Sequence, residues 1–411
     1  MNLTITTESR YFRTPDGRVW TPSVPAYRFW ARYLEVFEHV YVLARMRAVP
    51  VAEPQWERVD GEGVTFWAVP YYVGPLQYSL KFWQIRSLVN AAMASSQAVM
   101  LRVPGKVGSV AYKWLKANNH PFAVEVCGDP YEVFAPSVVE HPLRPFFRWW
   151  FFRQLRYQCL DACAVAYVSE RILPRRYPPG EGAVATHFSS IELKEEAFVF
   201  SDVDLTDETA FAFSPRSWPT NENNVKIVTV GSLAQMYKGP DVLIDAVAKC
   251  SREGLNVSLR IIGDGKYRAE LEARAKALGL AKSVRFLGEL PGGEAVRAHL
   301  DWADLFVLPS RTDALPRAMI EAMARGLPCI GTTVGGIPEL LPDEDMVPPN
   351  DAGALARKIQ EVRGDPMRMI RMSARNIEKA KEYREEILHE RRVSFYKHVR
   401  RTTEAWLSAR H

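Results

Sequence analysis

Two carboxylates, Asp313 and Glu321, flank Leu315-Pro316 in the stretch DLFVLPSRTDALPRAMIEAMARGLPCIGTTVGGIPELL, which runs from Asp304 to Leu341. Asp313 falls in a polar loop. Glu321 falls about a turn into the helix behind it, beside an apolar stripe of Met319, Ala322 and Met323, where a bare carboxylate must find hydrogen-bond donors or water. Sugar hydroxyls are such donors. Further upstream, Lys238-Gly239-Pro240 opens a helix on which Leu243, Ala246, Val247 and Cys250 repeat at i, i+3, i+4 and i+7. Backbone amides at a helix N-terminus, joined by a lysine, make an anion site on physical grounds. The chemistry offered is recognition of a phosphorylated, hydroxyl-rich ligand. The plainer alternative is that Asp313 is a loop or capping residue, while Glu321 and Lys238 are solvated.

Strands and helices must place these groups. Leu305 to Leu308 form an apolar strand, a helix opens at Pro316 or Arg317, and a second buried strand lies near Pro328 to Gly331. That is half of a doubly wound sheet, in which the loops Pro309 to Leu315 and Thr332 to Gly336 face one cleft beyond the carboxyl ends of the strands. Lys226 to Val230 supply another strand, ending in Gly231-Ser232-Leu233. Val257 to Ile262 supply a third, ending in Gly263-Asp264-Gly265, and Gly263-x-Gly265 alone is no dinucleotide fingerprint. From Asp351 a helical, charged tail carries Phe395, Val399 and Trp406 as a contact face.

The amino-terminal half alternates in the same way, as a Rossmann-like domain does. Met1 to Ala31 are turn-prone, with Pro15-Asp16-Gly17 as a tight turn between short extended pieces. A helix is expected over Arg32 to His39 and strands over Val40 to Met46 and Val64 to Val69. A further helix follows over Phe82 to Ala94, then a strand over Val99 to Val103. The strand Phe122 to Val126 ends in Cys127-Gly128-Asp129-Pro130, where Asp129 either faces the reaction or caps the next turn. The run HPLRPFFRWWFFRQLRY, His141 to Tyr157, predicts a mostly buried helix whose arginines reach out to solvent. The alternative is a docking patch for anionic lipid headgroups with Trp149 and Trp150 at the interface. Residues 201–224 are rich in Asp, Thr, Ser, Pro and Asn and read as a linker. The expected organisation is a domain over 1–200, the linker 201–224, a second domain over 225–385, and a last helix over 386–411 crossing back to the first.

A chain of 411 residues, 47% apolar and 25% charged, fits two globular domains. A net charge of +5 is too small to argue for nucleic acid, yet suits an anionic substrate or a membrane surface. Cys127, Cys159, Cys163, Cys250 and Cys329 lack C-x-x-C spacing, so neither zinc nor a disulfide framework is indicated. No apolar run of signal-peptide or membrane-spanning length is present. A reduced, cytoplasmic setting, with contact to the inner face of the membrane open, is the expectation.

The segment Leu315 to Gly326 matches L-P-x-x-x-x-E-A-M-A-x-G, and in this it resembles the nucleotide-sugar site of the family 4 retaining glycosyltransferases. Asp313-Ala314 stands where that family has Glu-Gly, Ser232 where its V-G-R-L motif has Arg, and Gly128-Asp129 where a strand usually ends in His-Asp. The resemblance implies an α/β GT-B fold, two Rossmann-like domains facing each other across a donor/acceptor cleft. It implies transfer of a sugar from a UDP- or GDP-sugar to an acceptor hydroxyl with retention, needing no metal or other cofactor. The acceptor would be a glycan or a lipid-linked one, with no nucleic acid partner, in bacterial cell-surface or exopolysaccharide biosynthesis. Asp313 and Asp129 take the catalytic places. Ser232, Lys238, Gly263, Leu315, Pro316 and Glu321 line the donor, with Lys238 on the diphosphate and Glu321 on the ribose. Nucleotide-sugar epimerases or hydrolases of the same fold, and a binding partner that has lost turnover, are the alternatives.

Overall fold

The first strand is written in threonines rather than in aliphatic residues. In LTIT, Leu3, Thr4, Ile5 and Thr6 are all buried, because a central parallel strand is covered on both faces and β-branched threonine fits a pleated surface. The computed structural model describes residues 1–22, 26–136, 138–139, 141–199 and 224–410, so the linker read over 201–224 lies outside the described residues except for Asn224. The chain divides into two units. One comprises Met1–Tyr131, Phe146–Phe188 and His389–His411, the other Glu132–Pro145 and Ser189–Leu388.

The first unit holds β1 (Asn2–Arg13), β2 (Val19–Thr21), β3 (His39–Ala48), β4 (Glu57–Arg58), β5 (Val64–Pro70), β6 (Ala98–Val103), β7 (Ala123–Val126), β8 (Ala164–Tyr167) and β9 (Val184–His187). Seven of them make a parallel sheet in the order β5-β3-β1-β6-β7-β8-β9, while β2 and β4 add an antiparallel ribbon to the far half of β1. The amino-terminal segment is therefore the centre of a sheet, not a set of short extended pieces. Its polar composition hides a strand that only its neighbours can bury. The Pro15-Asp16-Gly17 turn does form, with Gly17 N–H donating to the Thr14 carbonyl at 2.9 Å.

Two further expectations are corrected. Arg32 to His39 do not form one helix: Tyr27–Ala31 are α-helical, Arg32–Glu35 make a single 3-10 turn, and β3 starts at His39. The helix Arg144–Asp161 is not mostly buried; it buries Leu155, Gln158 and Cys159 and leaves Phe146, Trp149 and Trp150 exposed. A helix lying on a sheet covers only one stripe of itself, and this sequence has more aromatic residues than one stripe holds.

In the second unit β10 (Asn224–Val230), β11 (Asn256–Ile262), β12 (Val284–Gly288), β13 (Leu305–Val307), β14 (Cys329–Thr332) and β15 (Met346–Val347) form an all-parallel sheet in the order β12-β11-β10-β13-β14-β15. This is the doubly wound order, and the chain reverses direction across the sheet between β10 and β13. Helices Pro240–Arg252 and Ala352–Arg363 pack on one core with β10, β11 and β13.

From His389 onward the last helix, Glu385–Ser408, belongs to the first unit. Phe395 stacks edge-on to Phe188 at 5.8 Å, Tyr396 lies 4.6 Å from Tyr33, and Trp406 covers the buried His120 at 4.4 Å. Since Phe395 is 2% exposed, Phe395→Ala should cost about 3 to 5 kcal/mol of stability. Denaturant unfolding measures this, and a loss under about 1 kcal/mol would show that the helix only rests on the surface.

Candidate functional site

The carboxyl ends of β10 and β13 lie side by side, and each continues into a loop that carries one charged candidate. After β10, the chain passes Gly231 and Ser232 and makes a 3-10 turn, Met236–Lys238. Gly239 then precedes the helix that Pro240 begins. After β13 come Pro309 to Leu315, and Pro316 caps the helix Arg317–Ala324. Lys238 Nζ donates to Asp313 Oδ2 in an ion pair that spans the reversal point of the sheet. Both side chains are largely sheltered, at 19% and 9% exposure, so the pair is only partly screened by water. Lysine and carboxylate, far apart in sequence, thus meet where doubly wound sheets take their ligands.

Arg311 holds that meeting in place and escaped the sequence analysis. Its guanidinium donates to both oxygens of Asp241 at 2.9 and 2.7 Å and to Asn350 Oδ1 at 2.6 Å, and its backbone N–H donates to the Tyr237 carbonyl at 2.7 Å. A rigid fork with five donors can bridge three loops in this way, whereas a lysine cannot. The sequence offers no signal for it, because Asp241 and Asn350 lie outside any local spacing pattern. Spent on these partners, Arg311 is a positioning residue for the Lys238 loop.

Two glycines set the close approaches. Gly263 has φ +136°, and a Cβ there would stand 2.0 Å from the Gly231 carbonyl oxygen, so the loop after β11 can lie against the loop after β10 only without a side chain. Gly335 has φ +51°, and its Cβ would stand 1.7 Å from the Asp313 carbonyl oxygen, while the next residue, Gly336, donates its N–H to that oxygen at 2.8 Å. The loops after β13 and β14 therefore pack on each other, as the doubly wound reading requires. Ala314, by contrast, has negative φ, so this backbone has no need of a glycine there.

Glu321 is the unusual group. Met319, Ile320, Ala322 and Met323 around it are fully buried. Its own carboxylate makes no hydrogen bond with any described residue, and burial pushes its pKa above the usual glutamate value despite the opposing charges of Arg317 and Arg297. A part-buried acceptor with no donor among the described residues suits a ligand that brings hydroxyls. Leu315 is buried beneath the loop. Ser232 is exposed, its Oγ accepting from the Ala234 N–H at 3.2 Å.

Asp129 belongs to the first unit and is 4% exposed. It pairs with Arg176, accepts from the Tyr177 hydroxyl at 2.6 Å, and accepts from the Tyr131 N–H at 3.0 Å, which caps the short turn Pro130–Val133. Its lone pairs are largely committed within that unit. The remaining candidates, Ser232, Lys238, Gly263, Asp313, Leu315, Pro316 and Glu321, all lie on or next to the loops at the carboxyl ends of β10, β11 and β13 in the second unit.

Residues 211–383 match the model of glycosyl transferases group 1. Protein CapJ of Staphylococcus aureus is 25% identical over 341 residues, covering 81% of this chain and 80% of its own. The amylovoran biosynthesis glycosyltransferase AmsK of Erwinia amylovora is 36% identical over 141 residues, 32% of this chain and 34% of its own. Among solved structures, HepE of Anabaena in complex with UDP superposes with a TM-score of 0.63 at 15% identity, over 96% of this chain and 99% of that one. Residues 211–383 are thus a glycosyl transferases group 1 domain, and the chain has the two-domain GT-B fold of glycosyltransferases.

Proposed function

We propose that this protein transfers a sugar from a nucleoside diphosphate donor to a hydroxyl of a glycan or lipid-linked acceptor, with retention at the sugar carbon. The setting is assembly of a bacterial surface polysaccharide. The observation that carries the reading is the convergence of Lys238, Asp313 and the unpartnered Glu321 around the reversal point of the second sheet. The UDP held by HepE and the polysaccharide named for AmsK point the same way.

In this reading the donor diphosphate lies over the loop amides and the helix start at Pro240, with Lys238 as its main side-chain cation in the absence of an arginine at 232. Positive charge then needs no metal. Glu321 accepts from the ribose hydroxyls. Asp313, paired with Lys238 before the donor arrives, exchanges partners: the ammonium turns to the phosphates and the carboxylate to the sugar. The acceptor hydroxyl attacks on the face from which the diphosphate leaves, and the departing phosphate oxygen takes the hydroxyl proton.

The exchange separates binding from turnover. Lys238→Ala removes a charge-assisted contact of ~1.5 to 3 kcal/mol and should weaken UDP or GDP binding about ten-fold or more by calorimetry. Asp313→Asn frees Lys238, so nucleotide binding should hold or tighten while transfer falls about 100-fold, the scale for one preorganised electrostatic group. Asp313→Glu should be tolerated. Equal losses of binding in both Lys238→Ala and Asp313→Asn would mean that the pair is a structural brace. Wild-type protein that binds nucleotide and transfers nothing would favour the binding-partner alternative.

Glu321 adds a pH test. Its raised pKa means that the charged form is disfavoured in the folded protein, so it lowers stability above that pKa and ceases to do so as pH falls through it. Glu321→Gln should therefore be at least as stable as wild type at neutral pH, with the difference closing in acid, yet bind nucleotide more weakly. A variant that melts lower while binding unchanged would make Glu321 structural.

A further inference from the structure

The helices Gly74–Ala94, Lys106–Ala117 and Arg144–Asp161 lead from β5 to β6, β6 to β7 and β7 to β8. All three steps run the same way across the first sheet, and right-handed crossovers place their helices on one face of it. Their inner sides confirm this by sharing one core, to which they contribute Ile85 and Val89, Val107 and Ala111, and Leu155 and Cys159. Lys106 ties the outer sides together, its ammonium lying 4.1 Å from the Phe151 ring and 5.6 Å from the Tyr78 ring.

What these helices turn outward is unusual for a water-facing surface. On the first of them Leu76, Leu80 and Trp83 are 74%, 79% and 73% exposed, at spacings that put them along one side. On the third, Phe146, Trp149 and Trp150 are exposed and stacked against one another, with Phe146 and Trp150 centroids 5.9 Å apart. Soluble surfaces rarely gather so many large apolar groups. The charge on the same three helices is almost all of one sign: nine lysines and arginines, of which Arg86, Lys113, Lys116, Arg153 and Arg156 are exposed, against one acid, Asp161, which Lys116 pairs at 2.5 Å. Several of these cations are interleaved with the rings, as with Arg86 over Trp83 and Arg153 over Trp149.

We infer that this helical face is a docking surface for an anionic lipid bilayer. Leu76, Leu80, Trp83, Phe146, Trp149 and Trp150 enter the interface, and the arginines and lysines meet the headgroups. The one-signed charge selects the occupant. A second copy of this chain would set like charges against like, whereas lipid phosphates neutralise them. Tryptophan suits the boundary between headgroup and acyl chain, where its ring is buried and its N–H stays wet. The surface deepens the reading of a lipid-linked acceptor and rests on it for its purpose, so lipid binding is to be measured apart from transfer.

Full-length protein would be sedimented with phosphatidylcholine vesicles, with and without phosphatidylglycerol. Wild type should bind the anionic vesicles at least about ten-fold better than the neutral ones and be released by salt. The double variant Leu80→Ser/Trp83→Ser and the double variant Trp149→Ser/Trp150→Ser should each lose binding by about ten-fold or more. Because these side chains are exposed, both should keep wild-type circular dichroism and wild-type nucleotide affinity. Arg86→Gln/Arg153→Gln should weaken binding and flatten its salt dependence. Equal binding to neutral vesicles, no binding to either, or retention in both apolar variants would overturn the proposal. So would a dimer in sedimentation velocity that those variants abolish. Loss of nucleotide binding with vesicle binding intact would count against the transferase reading alone.

Discussion

An ion pair across a topological reversal organises the second unit. Lys238 and Asp313 sit on loops that leave adjacent parallel strands on opposite sides of the point where the chain changes direction. Nothing in the strands themselves fills the space above that point, because the helices that follow β10 and β13 depart to opposite faces. Arg311 then joins the loops that carry the pair to Asn350 beyond β15, so that the group meeting the ligand first is fixed by a second group that never needs to touch it. Support of this kind is what preorganised electrostatic sites require.

The engaged buried carboxylates of the fold contrast with Glu321. In the first unit, Glu125 is 3% exposed and fully engaged, with the Tyr33 hydroxyl at 2.8 Å and Arg102 and Arg32 beside it. Asp129 is similarly enclosed by Arg176 and Tyr177. In the second, Asp345 is buried and held by Arg368 and Arg375, whereas the part-buried Glu321 has no donor among the described residues and carries the cost as a raised pKa. A paired buried carboxylate is compatible with a purely architectural role, whereas an unpaired, part-buried one with a raised pKa lowers stability and suits a site that something outside the fold completes.

Much of this was legible in the sequence, and the exceptions have physical causes. The second unit declared itself through apolar runs bounded by glycine: the strands at β10, β11 and β13, the cap at Pro316, and the stripe Met319, Ala322 and Met323 all lie where spacing put them. β1 was missed because Thr4 and Thr6 look polar until both faces of the strand are covered. Of the two readings of Arg144–Asp161, the mostly buried one fails because helical periodicity reports which residues are apolar, not how many of them a sheet can accept. Arg311 was invisible because its partners, Asp241 and Asn350, are brought to it only by the completed topology.

The central claim is that the donor nucleotide binds at the reversal point of the second sheet. Amide hydrogen exchange of the wild-type protein, with and without saturating UDP or GDP, tests it most directly, since it localises the ligand without altering any residue. The account predicts slowed exchange in residues 231–239 and 309–321, with the sheet cores unchanged. A nucleotide that binds measurably yet protects neither segment would contradict it.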